Sequence, residues 1–351
     1  MVALYITSTA SVGKTAFCAG IAQKLLDSGL KIGFMMPVHI TEGGETNGCG
    51  DSTFIKDVLK LAESDELLCP IRLSQQELLR NLTEDETNFT RNLKEAYRKI
   101  SRGKDVVVME GLGNLDIDKV PTLASHTISE ALEARVVMLV DYSPKLNVAR
   151  IAQIGNKIGN LIGVIINFVP ASKIERVKRE LTYLFSKAGI RVIGVCPEVR
   201  SLLGITVGEL ARTLEGEIVT ASNKTDEIVE NVMLGAMTVD SGITYYNRKK
   251  NKAVVVRGER ADMQLAALQT PTKCLIVTNG VKPLPVVVVQ AEEKQVPIIT
   301  VKQDTSAAVA GIEKALAESS FQSRQKLETL SKVLESSFDF EALYSGLGLK
   351  A

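Results

Sequence analysis

The chemistry that this 351-residue chain offers most plainly sits at one joint, Gly13-Lys14-Thr15. A lysine there can set a point charge on the β- and γ-phosphates of a nucleotide, and the threonine hydroxyl beside it can ligate Mg²⁺. Backbone N–H groups of a preceding loop and of a helix N-terminus converge on phosphate oxygens. Two carboxylates further along can join such a site. Glu110 ends the apolar run Val106-Val107-Val108-Met109. An acid at the C-terminal end of a buried parallel strand stands where open α/β sheets bind their ligands. Asp51 follows a stretch holding Gly43, Gly44, Gly48 and Gly50, and precedes Phe54, Val58, Leu59 and Leu61 at helical spacing. It reads either as a helix N-cap or as a carboxylate held near Mg²⁺. Thr15, Asp51 and Glu110 together make a hard, oxygen-only set suited to that ion.

The surrounding pattern supplies elements able to hold these residues. Residues 4–6 are an apolar, β-prone run, and 7–12 are small residues. Ala16, Phe17, Ala19, Gly20, Ile21, Ala22, Leu25 and Leu26 then recur at helical spacing, so the order is strand, loop, helix. The loop pattern GxxxxGK[ST] asks for glycine at position 8, where this chain has Ser8. Further strands are expected at 31–35, 105–110, 134–141, 161–167 and 190–196. Helices are expected at 14–28, 89–100, 144–158 and 173–188, and 67–86 reads as a loop with one helical turn. The strands are too apolar to be half-exposed, which calls for a parallel sheet covered by helices on both faces. The pattern resets around 197–204. A second, smaller α/β unit follows, with helices at 207–214, 261–268, 285–294 and 305–316 and strands at 228–237, 252–257, 273–278 and 297–301. A last helix spans 322–335, and 346–351 reads as a frayed tail. The expected organisation is therefore 1–198, 199–320 and a C-terminal segment 321–351. Gly258 and Gly280 mark strand-end turns of the second unit. Arg257, Arg260 and Lys282 near them either face an anionic ligand or are simply solvated.

Bulk properties narrow the function classes. Lys+Arg 42 against Asp+Glu 41 leaves a formal charge of +1, so no broad footprint for nucleic acid exists. No apolar run reaches membrane-spanning length, and the N-terminus is not a signal peptide. Five scattered cysteines without a CxxC pair read as reduced thiols in a cytoplasmic protein. His39 and His126 are the two histidines, and neither has a metal-ligand spacing.

The first two hundred residues resemble dethiobiotin synthetase and its P-loop relatives. The resemblance rests on TSTASVGKT (7–15), MPVHI (36–40), GDSTFIKDVL (50–59), DVVVMEG (105–111) and GVIINFVP (163–170). In that family the loop is longer by one residue, which puts its first glycine at Thr7. The resemblance implies ATP as ligand, held by Ser11, Val12, Gly13, Lys14, Thr15 and Ala16, with Asn167 at the adenine edge. It implies Mg²⁺ among Thr15, Asp51 and Glu110, and gives any chemistry to Lys14 and Glu110. One departure bears on mechanism. The family has a Lys-Pro-Val motif whose lysine acts on the substrate, and this chain has Met36-Pro37-Val38. A thioether can neither hold a carbamate nor stabilise an anion.

The second half resembles the DRTGG domain, through VGELARTLEGEIV (207–219), VENVMLGAMT (229–238), NKAVVVRGERADMQLAAL (251–268) and VTNGVKPLP (277–285). Glu259-Arg260 stands where Asp-Arg is usual, and Thr278-Asn279-Gly280 where Thr-Gly-Gly is usual. The two domains occur in this order in the N-terminal part of long phosphotransacetylases. The acetyltransferase domain has no counterpart in this sequence, so acetyl transfer is not expected. Three functions are compatible with these features: a nucleotide-responsive regulatory protein, acting through a dimer or a partner enzyme; an ATP-dependent carboxylate-activating enzyme of the dethiobiotin synthetase or cobyrinate amidase kind; and a structural module. Met36 argues against the second, and intact Lys14, Thr15, Asp51 and Glu110 argue against the third.

Overall fold

The computed structural model describes every residue except 11–12, 42–49, 236–238, 318–320, 322 and 350–351, and the side chains of 50–51, 239–241 and 317 also lie outside it. The chain forms two compact units: Met1–Glu198 with Leu327–Ala351, and Val199–Lys326.

Unit 1 runs β1 (Val2–Ser8), α1 (Lys14–Asp27), β2 (Ile32–Met35), β3 (Val38–Ile40), α2 (Gly50–Leu59), α3 (Asp65–Leu68), β4 (Ile71–Leu73), α4 (Gln75–Glu84), α5 (Glu86–Ile100), β5 (Val106–Glu110), α6 (Lys119–Ala131), β6 (Arg135–Asp141), α7 (Val148–Ile158), β7 (Leu161–Val169), α8 (Ile174–Lys187) and β8 (Val192–Pro197). Six of these strands make a parallel sheet in the order β2-β5-β1-β6-β7-β8, and β3 pairs with β4 beside it. Central position explains the apolar strand sequences. Leu4, Ile6, Val106, Val107, Val108 and Val137 are fully buried, and each such side chain contributes about 1.5–3 kcal/mol. Two helices and a short strand occupy much of 65–84, where a loop with one helical turn was expected over 67–86. Ser74 explains part of this: its side chain and that of Glu77 form a reciprocal capping box at the start of α4.

Unit 2 runs α9 (Arg200–Leu203), β9 (Ile205–Thr206), α10 (Val207–Thr213), β10 (Glu217–Ile218), β11 (Ile228–Val229), β12 (Asn231–Leu234), α11 (Val239–Tyr246), β13 (Lys252–Arg257), α12 (Ala261–Leu268), β14 (Thr272–Thr278), α13 (Pro285–Glu293), β15 (Ile298–Thr300) and α14 (Thr305–Ala317). Its sheet has the order β10-β15-β14-β13-β12, parallel except for β10 against β15. The single strand expected at 228–237 is in fact two short ones, because Ile228 and Val229 pair with β9 while Asn231–Leu234 pair with β13. Two apolar cores flank the sheet. One centres on Leu210, Val255, Ile276 and Ile312, the other on Tyr246, Val254, Met263 and Val287.

The last two helices, α15 (Arg324–Ser337) and α16 (Phe340–Leu347), complete unit 1. Gly20 lets α15 approach α1 closely: a Cβ there would meet Leu334 Cδ1 at 2.7 Å and Leu330 Cδ2 at 3.2 Å. Phe338 forms an antiparallel bridge with Gly194 of β8, and the Asp339 N–H donates to Ile193 O at 2.7 Å. The expected frayed tail is instead helical to Leu347, because Leu343 and Leu347 are buried. Cys69 is disulfide-bonded, which corrects the reading of five reduced thiols, whereas Cys18, Cys196 and Cys274 are free and buried. Among the described residues no helix is long and apolar enough to cross a membrane.

Candidate functional site

The site lies at the C-terminal ends of β1 and β5, beside the strand from which the sheet order departs in both directions. Crevices in open α/β sheets form at that point. Register pairs Ile6 of β1 with Glu110 of β5, so the carboxylate is level with the exit of β1. Gly13 has φ +78°, a left-handed conformation that favours glycine, and α1 starts at the next residue. Thr15 in its first turn donates from Oγ1 to Glu110 Oε1 at 2.8 Å, and both side chains are buried. A hydroxyl that gives its proton to a carboxylate presents its lone pairs elsewhere, the arrangement a cation ligand needs.

The stretch after Glu110 is fastened to β1. Gly111 N donates to Ile6 O at 2.7 Å, Leu112 N to Tyr5 Oη at 3.2 Å, and Thr7 Oγ1 to Leu112 O at 2.5 Å. Burial pushes the Tyr5 phenol up to about 12, so it stays protonated and meets Ser125 Oγ at 3.1 Å. Only glycine fits at 111, where a Cβ would lie 2.4 Å from the Tyr5 ring. At Gly113 a Cβ would come within 2.7 Å of Lys14 Nζ and 3.2 Å of Ser8 Oγ. The lysine therefore lies across the backbone of Gly113. Beside it opens a cleft of about 370 Å³, lined by Lys14, Met36, His39, Glu110, Gly113 and Asp118 among others.

The fold thus brings Lys14, Thr15, Ala16 and Glu110 to one corner, with Gly13 at the entry to α1. Ser11 and Val12 lie outside the described residues. Asp51 stands in the first turn of α2, and its side chain lies outside the described residues too. Asn167 is buried at the C-terminal end of β7, opposite Asp141 of β6, and does not line the cleft beside Lys14. Burial also raises the Asp141 carboxyl above its ordinary range. Gly113 and the cleft residue Asp118 were not singled out from the sequence, and Ser8 and His39, though named there, were given no part in the site. The pair Gly111-x-Gly113 directly behind a strand-end acid was the available signal for the first.

Thr15 and Glu110 fit Mg²⁺ by donor type. That ion is usually held by one or two carboxylates plus substrate phosphates rather than by an all-protein cage. Among the described residues no group of three His, Cys, Asp or Glu could hold a metal.

Comparison with known proteins decides the family. The model of one family, described as AAA domain, matches residues 2–206, more than half of the chain. The chain belongs to that family. A second model, the DRTGG domain, matches residues 209–315. This AAA-family P-loop domain is dethiobiotin-synthetase-like. The chain is 26% identical to ATP-dependent dethiobiotin synthetase of Methanocaldococcus jannaschii over 204 residues, 55% of this chain and 92% of that protein. It is 23% identical to phosphate acetyltransferase of Pseudomonas putida over 290 residues, 78% of this chain and 41% of that protein. The chain therefore spans less than half the length of that relative. Among solved structures, the CBS and DRTGG domains of the regulatory region of Clostridium perfringens pyrophosphatase match at TM-score 0.29 and 17% identity. That match covers 39% of this chain and 69% of the other.

Proposed function

We propose that unit 1 binds Mg·ATP and that the protein is a nucleotide-responsive regulator, related to the N-terminal part of phosphotransacetylase and working as a dimer or on a metabolic enzyme in the cytoplasm. The observation that carries the reading is the 2.8 Å contact between Thr15 and Glu110. It ties the start of the helix behind Gly13 to the acid at the end of β5, while Lys14 extends along Gly113. Phosphoryl transfer is mostly positioning and electrostatic stabilisation of the transferring group. Met36, a cleft residue without charge, offers nothing on the acceptor side. Losing one preorganised donor lowers rates on the order of 10²–10³, so tight binding with slow hydrolysis is expected. One observation favours the carboxylate-activating alternative: the cleft beside Glu110 has room for a second small substrate.

A thermal scan tests the binding. A ligand at about 100 times its Kd adds about 2.7 kcal/mol to the native state, a shift on the order of 5 °C. Mg·ATP or Mg·GTP should raise the melting temperature, and Lys14→Ala should abolish the rise. Absence of any shift in the wild type would sink the proposal. Phosphate release with Mg·ATP, alone and with a carboxylate or amine substrate, separates the two readings. Robust wild-type turnover makes it an enzyme, and slow wild-type turnover that Met36→Lys raises keeps it a regulator.

A further inference from the structure

Unit 2 holds a cleft of its own. It measures about 580 Å³ and is lined by Gly235, Arg257, Glu259, Arg260, Thr305 and Ser306 among others, a size within the range of small-molecule sites. Its walls come from the C-terminal ends of β12 and β13 and the first turn of α14, the end of an α/β sheet where ligands bind.

The lining carries one cation that no described acid in the unit accounts for. Arg257 closes β13 with its side chain exposed, and among the described residues it has no acidic partner. Arg260, by contrast, is held by Asp262, with Nε to Oδ1 and Nη2 to Oδ2 both at 2.9 Å. Glu259 accepts from Asn279 Nδ2 at 3.3 Å. Thr305, whose Oγ1 meets Thr278 Oγ1 at 3.1 Å, and Ser306 add hydroxyls at the start of α14. Asp304 already caps that helix through Ala307 N, so the anchor for an anion is Arg257 and not the helix end. Its backbone is fixed from below. Gln264, fully buried, donates from Nε2 to Arg257 O at 2.9 Å and to Gly258 O at 3.1 Å.

A second observation points to a ligand. Tyr246 is fully buried, and among the described residues its hydroxyl has no hydrogen-bond partner. Leaving such a group unpaired costs stability. The hydroxyl lies 2.7 Å from the point that a Cβ on Gly235 would occupy. That point also lies 2.6 Å from Val256 Cγ2, so the hydroxyl sits directly behind the backbone of Gly235, a residue of the cleft lining.

We propose that this cleft binds a phosphorylated small molecule, with Arg257 taking the phosphoryl group and the unpaired Tyr246 hydroxyl behind Gly235 bonding a polar group of the ligand. A guanidinium matches phosphoryl oxygens in a two-pronged fork. The hydroxyls of Thr305 and Ser306 supply the further donors that a tetrahedral anion, more than a planar carboxylate, can use. The site is separate from the Lys14 corner and does not depend on it.

Calorimetry on the full chain carrying Lys14→Ala, which weakens the site in unit 1, tests this. The probes are inorganic pyrophosphate, AMP and ribose 5-phosphate. Saturable binding of at least one is expected, weakened at least tenfold by Arg257→Ala and severalfold by Tyr246→Phe. Lys282→Ala, an exposed change outside the cleft lining, should leave it unchanged. Which probe binds best separates a nucleotide from a sugar phosphate. The proposal is overturned if none of the three binds, or if binding survives Arg257→Ala undiminished. If Arg257→Ala fails to fold, Arg257→Gln takes its place. Should Tyr246→Phe raise the melting temperature and leave affinity intact, the hydroxyl is a structural orphan and its part in the proposal falls.

Discussion

Lys14 is the residue whose setting says most about the corner at β1. Its ammonium lies 2.7 Å from where a methyl on Gly113 would sit, so that glycine shapes the lysine more than it shapes the fold. The contacted atom is the far end of a flexible chain, which can move aside at little cost. Gly113→Ala should therefore leave the melting temperature of the unliganded protein within a few degrees. Affinity for Mg·ATP should drop about tenfold, roughly 1.4 kcal/mol. Parallel thermal scans and nucleotide titrations check the pair of outcomes. A large loss of stability with unchanged affinity would contradict the arrangement. Much of this corner was legible in the residues themselves, because Gly13-Lys14-Thr15 and the acid of DVVVMEG have fixed chemical uses. The role of Gly113 was not, since it depends on which backbone passes over which side chain. Nor was the likeness at Met36 enough to show that the thioether faces a cleft.

Among elements, β13 carries the most informative strain on the fold. Its first residue, Lys252, is fully buried and donates from Nζ to Pro271 O at 3.0 Å. Burial pulls its ammonium down to about 8, against about 10.4 for a free lysine. Below about pH 8 both states hold the proton, and the folded state bears the desolvation cost. Between about 8 and 10.4 the unfolded chain binds more protons, so this group adds stability as pH rises. Buried Cys196 and Cys274, whose thiols burial pushes up, act in the opposite sense over part of that window. Comparison with Lys252→Met isolates the lysine: relative to wild type the variant should be most favoured near neutral pH, and the advantage should shrink toward about pH 10. Urea midpoints across the range measure this, and a pH-independent difference would refute it. The strand itself was readable from KAVVVR, as were most strands, because runs of buried β-branched residues leave few alternatives. Residues 65–84 were harder. There short elements are set by the Ser74–Glu77 capping box and by packing of Leu78 and Leu82, both buried, not by a long periodic stripe.

At the scale of the whole molecule, the chain leaves unit 1 after Glu198 and returns to it at Leu327. Sequence could not show this return, because the apolar stripe of α15 fits any apolar surface. Leu330, Leu334, Phe338, Leu343 and Leu347 are all buried. At about 1.5–3 kcal/mol each they add roughly 7–15 kcal/mol, as much as the whole stability of an ordinary domain. A chain ending at Glu198 should therefore lack cooperative unfolding and nucleotide response. One in which a flexible linker replaces 199–326 should keep both. Near-ultraviolet dichroism and the nucleotide-induced melting shift distinguish them, and a well-folded 1–198 fragment would refute the argument. The return also sets a clock on the ribosome. With synthesis at about 5–20 residues per second, the finished 1–198 part of unit 1 waits roughly 6–25 s for its last two helices while the intervening unit is made. Through that interval the newborn nucleotide corner stands beside an open apolar face. Substitutions in the last two helices should then lower yield in the cell more than they lower the affinity of whatever protein survives to be purified.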